Sequence, residues 1–278
     1  EKLPGDTRIC MEYTGSYWQP IAKVLHDAGF FVSAVNALLI YKYGNNSIRK
    51  GKTDKLDAVK IANYCLDRWT DLDRYSPTDQ IRQTLKTCRR QYDQYIRLKV
   101  NLKNNLIALL DGTFHGVNTL LKSAPRDTDG HEKWVDFAGK FWHRLCVCGN
   151  SEKAFANQYR KWCAKAGFRF YAENAVAIYS HAGSQVDTLP MSSAIRSLIT
   201  HAVSQLNMII ETISAIQHEM LTLASQLPEY PIVMRMFGVG PVLGPQLMAE
   251  IGDVRRYNCK QSLEAFAGVD APPCPSGT

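Results

Sequence analysis

A chain of 278 residues, 45% of them hydrophobic, can bury a sizeable core and divide into one to three domains. Its net charge of +7 favours an anionic partner, and the lack of any run of 18 apolar residues excludes a membrane-spanning helix. No signal peptide is visible, and eight scattered cysteines do not make a disulfide framework in a chain this long, so a reducing cytoplasm is the simplest compartment.

The chain opens without Met on Glu1-Lys2-Leu3-Pro4-Gly5 and stops at the turn-like Pro275-Ser276-Gly277-Thr278, which reads as a piece cut at both ends. Residues 1–75 read as α/β. Thr7–Tyr13 suits a buried strand, Tyr17–Ala28 a helix ended by Gly29, and Phe30–Val35 a second strand rich in aromatic and β-branched residues. A polar, basic loop follows at Asn45–Gly51, then a helix over Asp54–Arg68, so the unit reads as part of a mixed sheet.

Residues 76–228 read as long helices. After Pro77, Ile81, Leu85, Cys88, Tyr92 and Tyr95 follow a 4-3-4-3 spacing that Leu102, Leu106 and Leu109 resume. Ile195, Ile199, Ala202, Leu206, Ile209, Ile213, Ile216, Met220, Leu223 and Leu227 make a second heptad run. The pair fits either an oligomeric coiled coil or an antiparallel pair within one chain, because a heptad pattern does not name its partner. The insert at 113–190 is rich in aromatics with short helical stretches, and its role is unreadable. Residues 229–278 form a third unit around Met236-Phe237-Gly238-Val239-Gly240-Pro241.

Several groups of residues carry chemistry. Glu12 ends an apolar run, and Asp54 and Asp57 stand one helical turn apart on one side of a helix. Three carboxylates supply the hard oxygen ligands that phosphoryl transfer with divalent metal needs. The aspartate pair has a plain alternative, since acidic residues at the start of a helix also cap it. Arg49, Lys50 and Lys52 can grip a phosphate backbone or form a solvated loop. Arg82, Lys86, Arg89, Arg90, Arg97, Lys99 and Lys103 give the first long helix an extended basic surface suited to nucleic acid, with a solvated face as the alternative. Gly238 and Gly240 sit where a helix-hairpin-helix turn would aim backbone N–H groups at a phosphate; tight helix packing would explain them equally. His143, Cys146, Cys148 and Cys163 have poor zinc spacing and read as buried groups. Nothing close in sequence activates Ser276, which on spacing alone is a turn residue.

Met11-Glu12-Tyr13-Thr14-Gly15-Ser16-Tyr17, then Asn36, then Lys52-Thr53-Asp54-Lys55-Leu56-Asp57-Ala58 resemble the DEDD transposases of bacterial insertion sequences. Phe237-Gly238-Val239-Gly240-Pro241-Val242-Leu243, Tyr257 and Leu263-Glu264-Ala265-Phe266-Ala267-Gly268-Val269 through Ser276-Gly277 resemble that family's C-terminal transposase domain. The resemblance runs in order across nearly the whole chain, the insert adding least. It implies a partial RNase H-like (RuvC-like) domain in which four acids bind two metal ions, taken as Mg²⁺. Glu12, Asp54 and Asp57 match the second, third and fourth acids; the first lies on an earlier strand that the sequence does not contain, and Asp6 is no substitute. It also implies that Ser276 is a nucleophile forming a covalent link to DNA, in a composite site often built across a dimer joined by the coiled coil. A structured guide RNA from the element is implied as a further partner.

The resulting expectation is α/β plus α: a partial RuvC-like domain, coiled-coil helices with an insert, and a truncated helical C-terminal domain. The expected activity is that of a DNA transposase or site-specific recombinase in the full-length protein, with this piece inactive. Double-stranded DNA, guide RNA and a second copy of the chain are the expected partners, in a bacterial, nucleoid-associated cytoplasmic setting without membrane attachment. The alternatives are a junction-type endonuclease using water and a non-catalytic nucleic-acid-binding remnant.

Overall fold

Arg8, Cys10 and Glu12 alternate with Ile9 and Met11, which suits a strand whose two faces differ, and Arg8–Tyr13 forms strand β1. The computed structural model describes residues 7–15, 17–43 and 54–269. Two compact units divide at Asp79.

In the first unit, β1 pairs in parallel with β2 (Phe31–Asn36), in register from Arg8 opposite Phe31 to Tyr13 opposite Asn36. A parallel pair needs a crossover, and helix α1 (Trp18–Asp27) supplies it. The helix buries Ala22 and ends at Gly29, whose φ of 86° is the left-handed geometry that stops a helix. Val32 and Val35 complete the small core. Helix α2 (Ala37–Tyr43) begins where the Asn36 side chain accepts the Leu38 N–H at 2.9 Å. Helix α3 (Asp54–Asp67) then leads into a 3₁₀ turn at Trp69–Asp71. The mixed sheet expected from the sequence is, among the described residues, this parallel pair alone.

The two heptad runs fold as helix α4 (Gln80–Asp111) and, numbering the helices in chain order, α10 (Ser193–Ser225). They pack on each other within the chain. Leu85, near the start of α4, shares a core with Met220 and Ala224 near the end of α10, while Leu106 and Leu110 meet Ile199 and Leu206. That pairing is antiparallel, and it uses up the apolar seam from which oligomerisation was expected.

Between them lie α5 (Val117–Leu120), α6 (Lys133–Lys140), α7 (Leu145–Cys148), α8 (Glu152–Ala166) and α9 (Ala172–Ser184). Their core is aromatic: Phe137 stacks on Phe141 and meets Tyr159 and Trp162 edge-on, all buried. Arg126 clamps this module by donating to Asp129 and to the Ala166 carbonyl while lying 4.7 Å over the Phe168 ring. The module also returns the chain to its starting point, because the Thr188 and Leu189 N–H groups both donate to the Gly112 carbonyl, at 3.0 and 2.9 Å.

Helices α11 (Tyr230–Val233), α12 (Leu243–Ile251) and α13 (Lys260–Ala267) follow. Met248 and Ala249 of α12 join the core of Leu85, Met220 and Leu227, so residues 229–269 include a segment packed against the ends of the long helices. None of the described helices is long and apolar enough to cross a membrane.

Candidate active site and nucleic-acid-binding surfaces

The first unit positions the acids. Arg8 is held between the rings of Phe31 and Trp69, 4.5 and 4.4 Å from their centroids, and donates to the Trp69 carbonyl. Two residues on, Cys10 is joined by a disulfide to Cys65 of α3, with their Cα atoms 6.6 Å apart. Helix α3 therefore lies against β1 near its own C-terminal end, at Cys65 and just before Trp69. It covers the face carrying Arg8, Cys10 and, by strand alternation, Glu12. This disulfide is a single pair, and the other five cysteines among the described residues are free. The bonded partners are 55 residues apart in sequence, too far for any local pattern to reveal.

Glu12 follows Cys10 by one strand repeat, whereas Asp54 and Asp57 stand in the first turn of α3, two to three turns before Cys65. Glu12 lies about 7 Å beyond Cys10 along the strand. Asp57 and Asp54 precede Cys65 by about 12 and 17 Å along the helix. Asp54 stands three helical turns from Cys65 and so shares its stripe, while Asp57 lies about 80° round the helix. Glu12 and Asp57 are half-buried and Asp54 is exposed. Asp57 accepts from Lys60 at 3.3 Å, a surface pair one turn away that a stronger cation can displace. The acids are not gathered: among the described residues no three His, Cys, Asp or Glu side chains stand close enough to hold a metal ion. The donor set, three carboxylates with solvent access, has the chemistry that Mg²⁺ prefers.

A cavity of about 240 Å³ opens at the carboxyl ends of the two strands, lined by Tyr13, Asn36, Tyr64, Arg68 and Asp73 among others. Sequence reasoning did not find it, since its walls come from four separate segments.

The predicted basic surface divides on inspection. Arg82 is not a backbone contact: its side chain is 7% exposed and bonded to Glu229 at 2.6 Å, tying α4 to the chain just before α11. Arg89 is half-buried and paired with Asp93, and Lys103 with Glu132 at 2.7 Å. Lys86 and Arg90 are exposed, as is Arg97. Arg49, Lys50, Lys52 and Ser276 lie outside the described residues.

Gly238 and Gly240 occupy the turn between α11 and α12. Gly238 has φ 78°, which a side chain would strain, and a Cβ on either glycine would meet open space. Tight packing therefore does not explain them; the closely packed glycine is Gly244, where a Cβ would come within 2.6 Å of the Met234 sulfur. Phe237 projects fully into solvent beside this turn. The His143–cysteine group is structural. His143 is fully buried, with Nε2 3.2 Å from the Leu189 carbonyl and Nδ1 accepting the Leu145 N–H. Burial pushes the Cys146 and Cys163 thiols up, which keeps them protonated.

No curated protein matches the chain. A family model described as "Transposase", of the DEDD type from IS110 elements, matches residues 1–115, which include β1, α3 and all three acids. A second, described as "Transposase IS116/IS110/IS902 family", matches residues 230–278, which include the Gly238–Gly240 turn and Ser276. At its two ends, the chain is thus similar to transposase domains of the IS110 family.

Proposed function

We propose that this chain is the transposase of an insertion sequence, a site-specific recombinase that cleaves and rejoins double-stranded DNA with a serine nucleophile and Mg²⁺. The observation that carries the reading is that neighbouring elements supply the three carboxylates, Glu12 on the strand that packs against α3 and Asp54 and Asp57 in the first turn of that helix. Two transposase matches in the order of the chain support it. The partial RNase H-like fold remains part of this reading, as do a guide RNA and assembly with a second copy, which would use a surface other than the α4–α10 seam.

In this mechanism Glu12, Asp54 and Asp57 would hold Mg²⁺, and the bound ion would supply positive charge against the scissile phosphate. The Ser276 Oγ forms a new ester bond to phosphorus as the bond to the leaving strand oxygen breaks, so the energy of the phosphodiester is conserved in the protein–DNA link. Rejoining reverses the exchange with a different strand end. The basic side chains and the Gly238–Gly240 turn bind phosphates and orient the strands, and base pairing with the guide selects sequence.

Asp54→Ala or Asp57→Ala is expected to remove strand cleavage by the full-length protein while DNA affinity stays within a few-fold. Ser276→Ala should abolish the covalent adduct seen on a denaturing gel. Cleavage that survives the aspartate changes would reduce the pair to helix capping. Cleavage without an adduct would assign the attack to water, as in a junction endonuclease. The separation of the acids favours one further reading, a non-catalytic remnant that binds nucleic acid, and wild-type protein inert with Mg²⁺ would select it.

A further inference from the structure

We propose that the outward face of α4 is a docking surface for the backbone of double-stranded DNA, an inference that rests on the transposase reading and adds a specific surface to it. The residues are Lys86, Arg90, Gln94, Arg97, Asn101 and Asn105, spaced 4-4-3-4-4, which places them on one stripe of a helix. All are exposed, and the stripe lies opposite the side that packs on α10 through Leu85 and Leu106.

The charge distribution argues for a polyanionic occupant. Within Gln80–Asp111 there are seven cations and two carboxylates, Asp93 and Asp111. Both carboxylates are already engaged, with Arg89 and with His115. Arg82 and Lys103 are held by acids elsewhere in the chain. Lys86, Arg90 and Arg97 have no ion-pair partner among the described residues. The outward side of α10 has a different character, with exposed Glu211, Glu219, Leu198 and Met208. Solubility alone does not require such a separation between two faces of one hairpin.

Size and chemistry narrow the partner. The stripe from Lys86 to Asn105 is about 28 Å long, close to one turn of a DNA duplex. Amide and guanidinium groups donate to phosphate oxygens without reading sequence. A second copy of the chain is a poorer occupant, because the stripe contains no apolar residue and self-pairing would oppose like charges.

The test measures binding of the full-length protein to a 30-base-pair DNA duplex by fluorescence anisotropy, between about 50 and 200 mM salt. The triple variant Lys86→Gln/Arg90→Gln/Arg97→Gln should flatten the slope of log K against log salt by about 2 to 3, with affinity at 100 mM salt falling about a hundredfold. The near-isosteric variant Gln94→Glu/Asn101→Asp/Asn105→Asp should weaken binding comparably by repulsion. Ser204→Asp/Gln205→Glu/His218→Asp, on the exposed side of α10, changes charge to the same extent and should leave the binding constant within about threefold. Helical circular dichroism must match wild type in each case.

Equal weakening by both surfaces would mean a net-charge effect and overturn the proposal. So would an unchanged slope, a change in molar mass by light scattering with binding intact, or loss of duplex RNA binding alone. The catalytic reading fails separately: Asp54→Ala would still cleave, whatever the α4 variants do.

Discussion

Replacing Arg82 separates a structural cation from a nucleic-acid contact. Arg82→Met removes the guanidinium bonded to Glu229 at 2.6 Å and leaves that carboxylate, 17% exposed, without its main counter-charge. Breaking a buried pair from one side costs about 3–5 kcal/mol, and the residual solvent access of Glu229 places this case near 3. For a unit of this size each kcal/mol lowers Tm by about 2–4 °C, so a fall of about 6–12 °C is expected by circular dichroism. The double variant Arg82→Met/Glu229→Met should recover most of the loss, because two apolar side chains do not leave a buried charge unpaired. The salt dependence of DNA binding should not change. A Tm within 2 °C of wild type together with a slope flattened by about one would refute this account and return Arg82 to the phosphate backbone.

Two further outcomes follow from the geometry. Cys10→Ser/Cys65→Ser should lower the stability of the first unit by up to about 4 kcal/mol on a chain-entropy basis, read as a shift in urea midpoint under oxidising conditions; an equal midpoint in wild type and variant would mean that α3 is held by packing alone. Asp129, held by Arg126 with a pKa of about 2 against about 3.9 when unfolded, adds stability that is complete above pH 4 to 5 and is lost as pH falls toward 2. The gap in unfolding free energy between wild type and Asp129→Asn should therefore be about 1–2 kcal/mol at pH 6 and close to zero at pH 2, and a gap constant across that range would show that the Arg126 pair contributes nothing.

Local pattern carried most of the strands and helices, but not α2 (Ala37–Tyr43), for which no helix was expected. Strand β1 begins one residue after the expected position, α3 ends one residue earlier, and both heptad runs are continuous helices. What pattern could not carry was pairing at long range. Leu85 and Met220 occupy correct seam positions, yet only the folded chain shows that they face each other. Arg82 read as one cation among seven because its partner lies 147 residues away. The aromatic insert was opaque for another reason. Its helices are short, and their buried rings interlock in three dimensions without a repeating stripe. For the site, the acids were visible through resemblance, and the disulfide with the Arg8 clamp supplied what spacing lacked: which face of β1 meets α3.

The pinch at Gly112 bears on how the long hairpin forms. Joining the ends of a flexible eighty-residue segment costs about 4 kcal/mol in chain entropy before α4 and α10 can touch. The two N–H groups of Thr188 and Leu189 meet one carbonyl there, and a Cβ on Gly112 would lie 2.6 Å from the Leu189 side chain. Once the intervening helices have condensed, the helices' near ends are already neighbours, and zipping them together becomes a local event rather than a search across the chain.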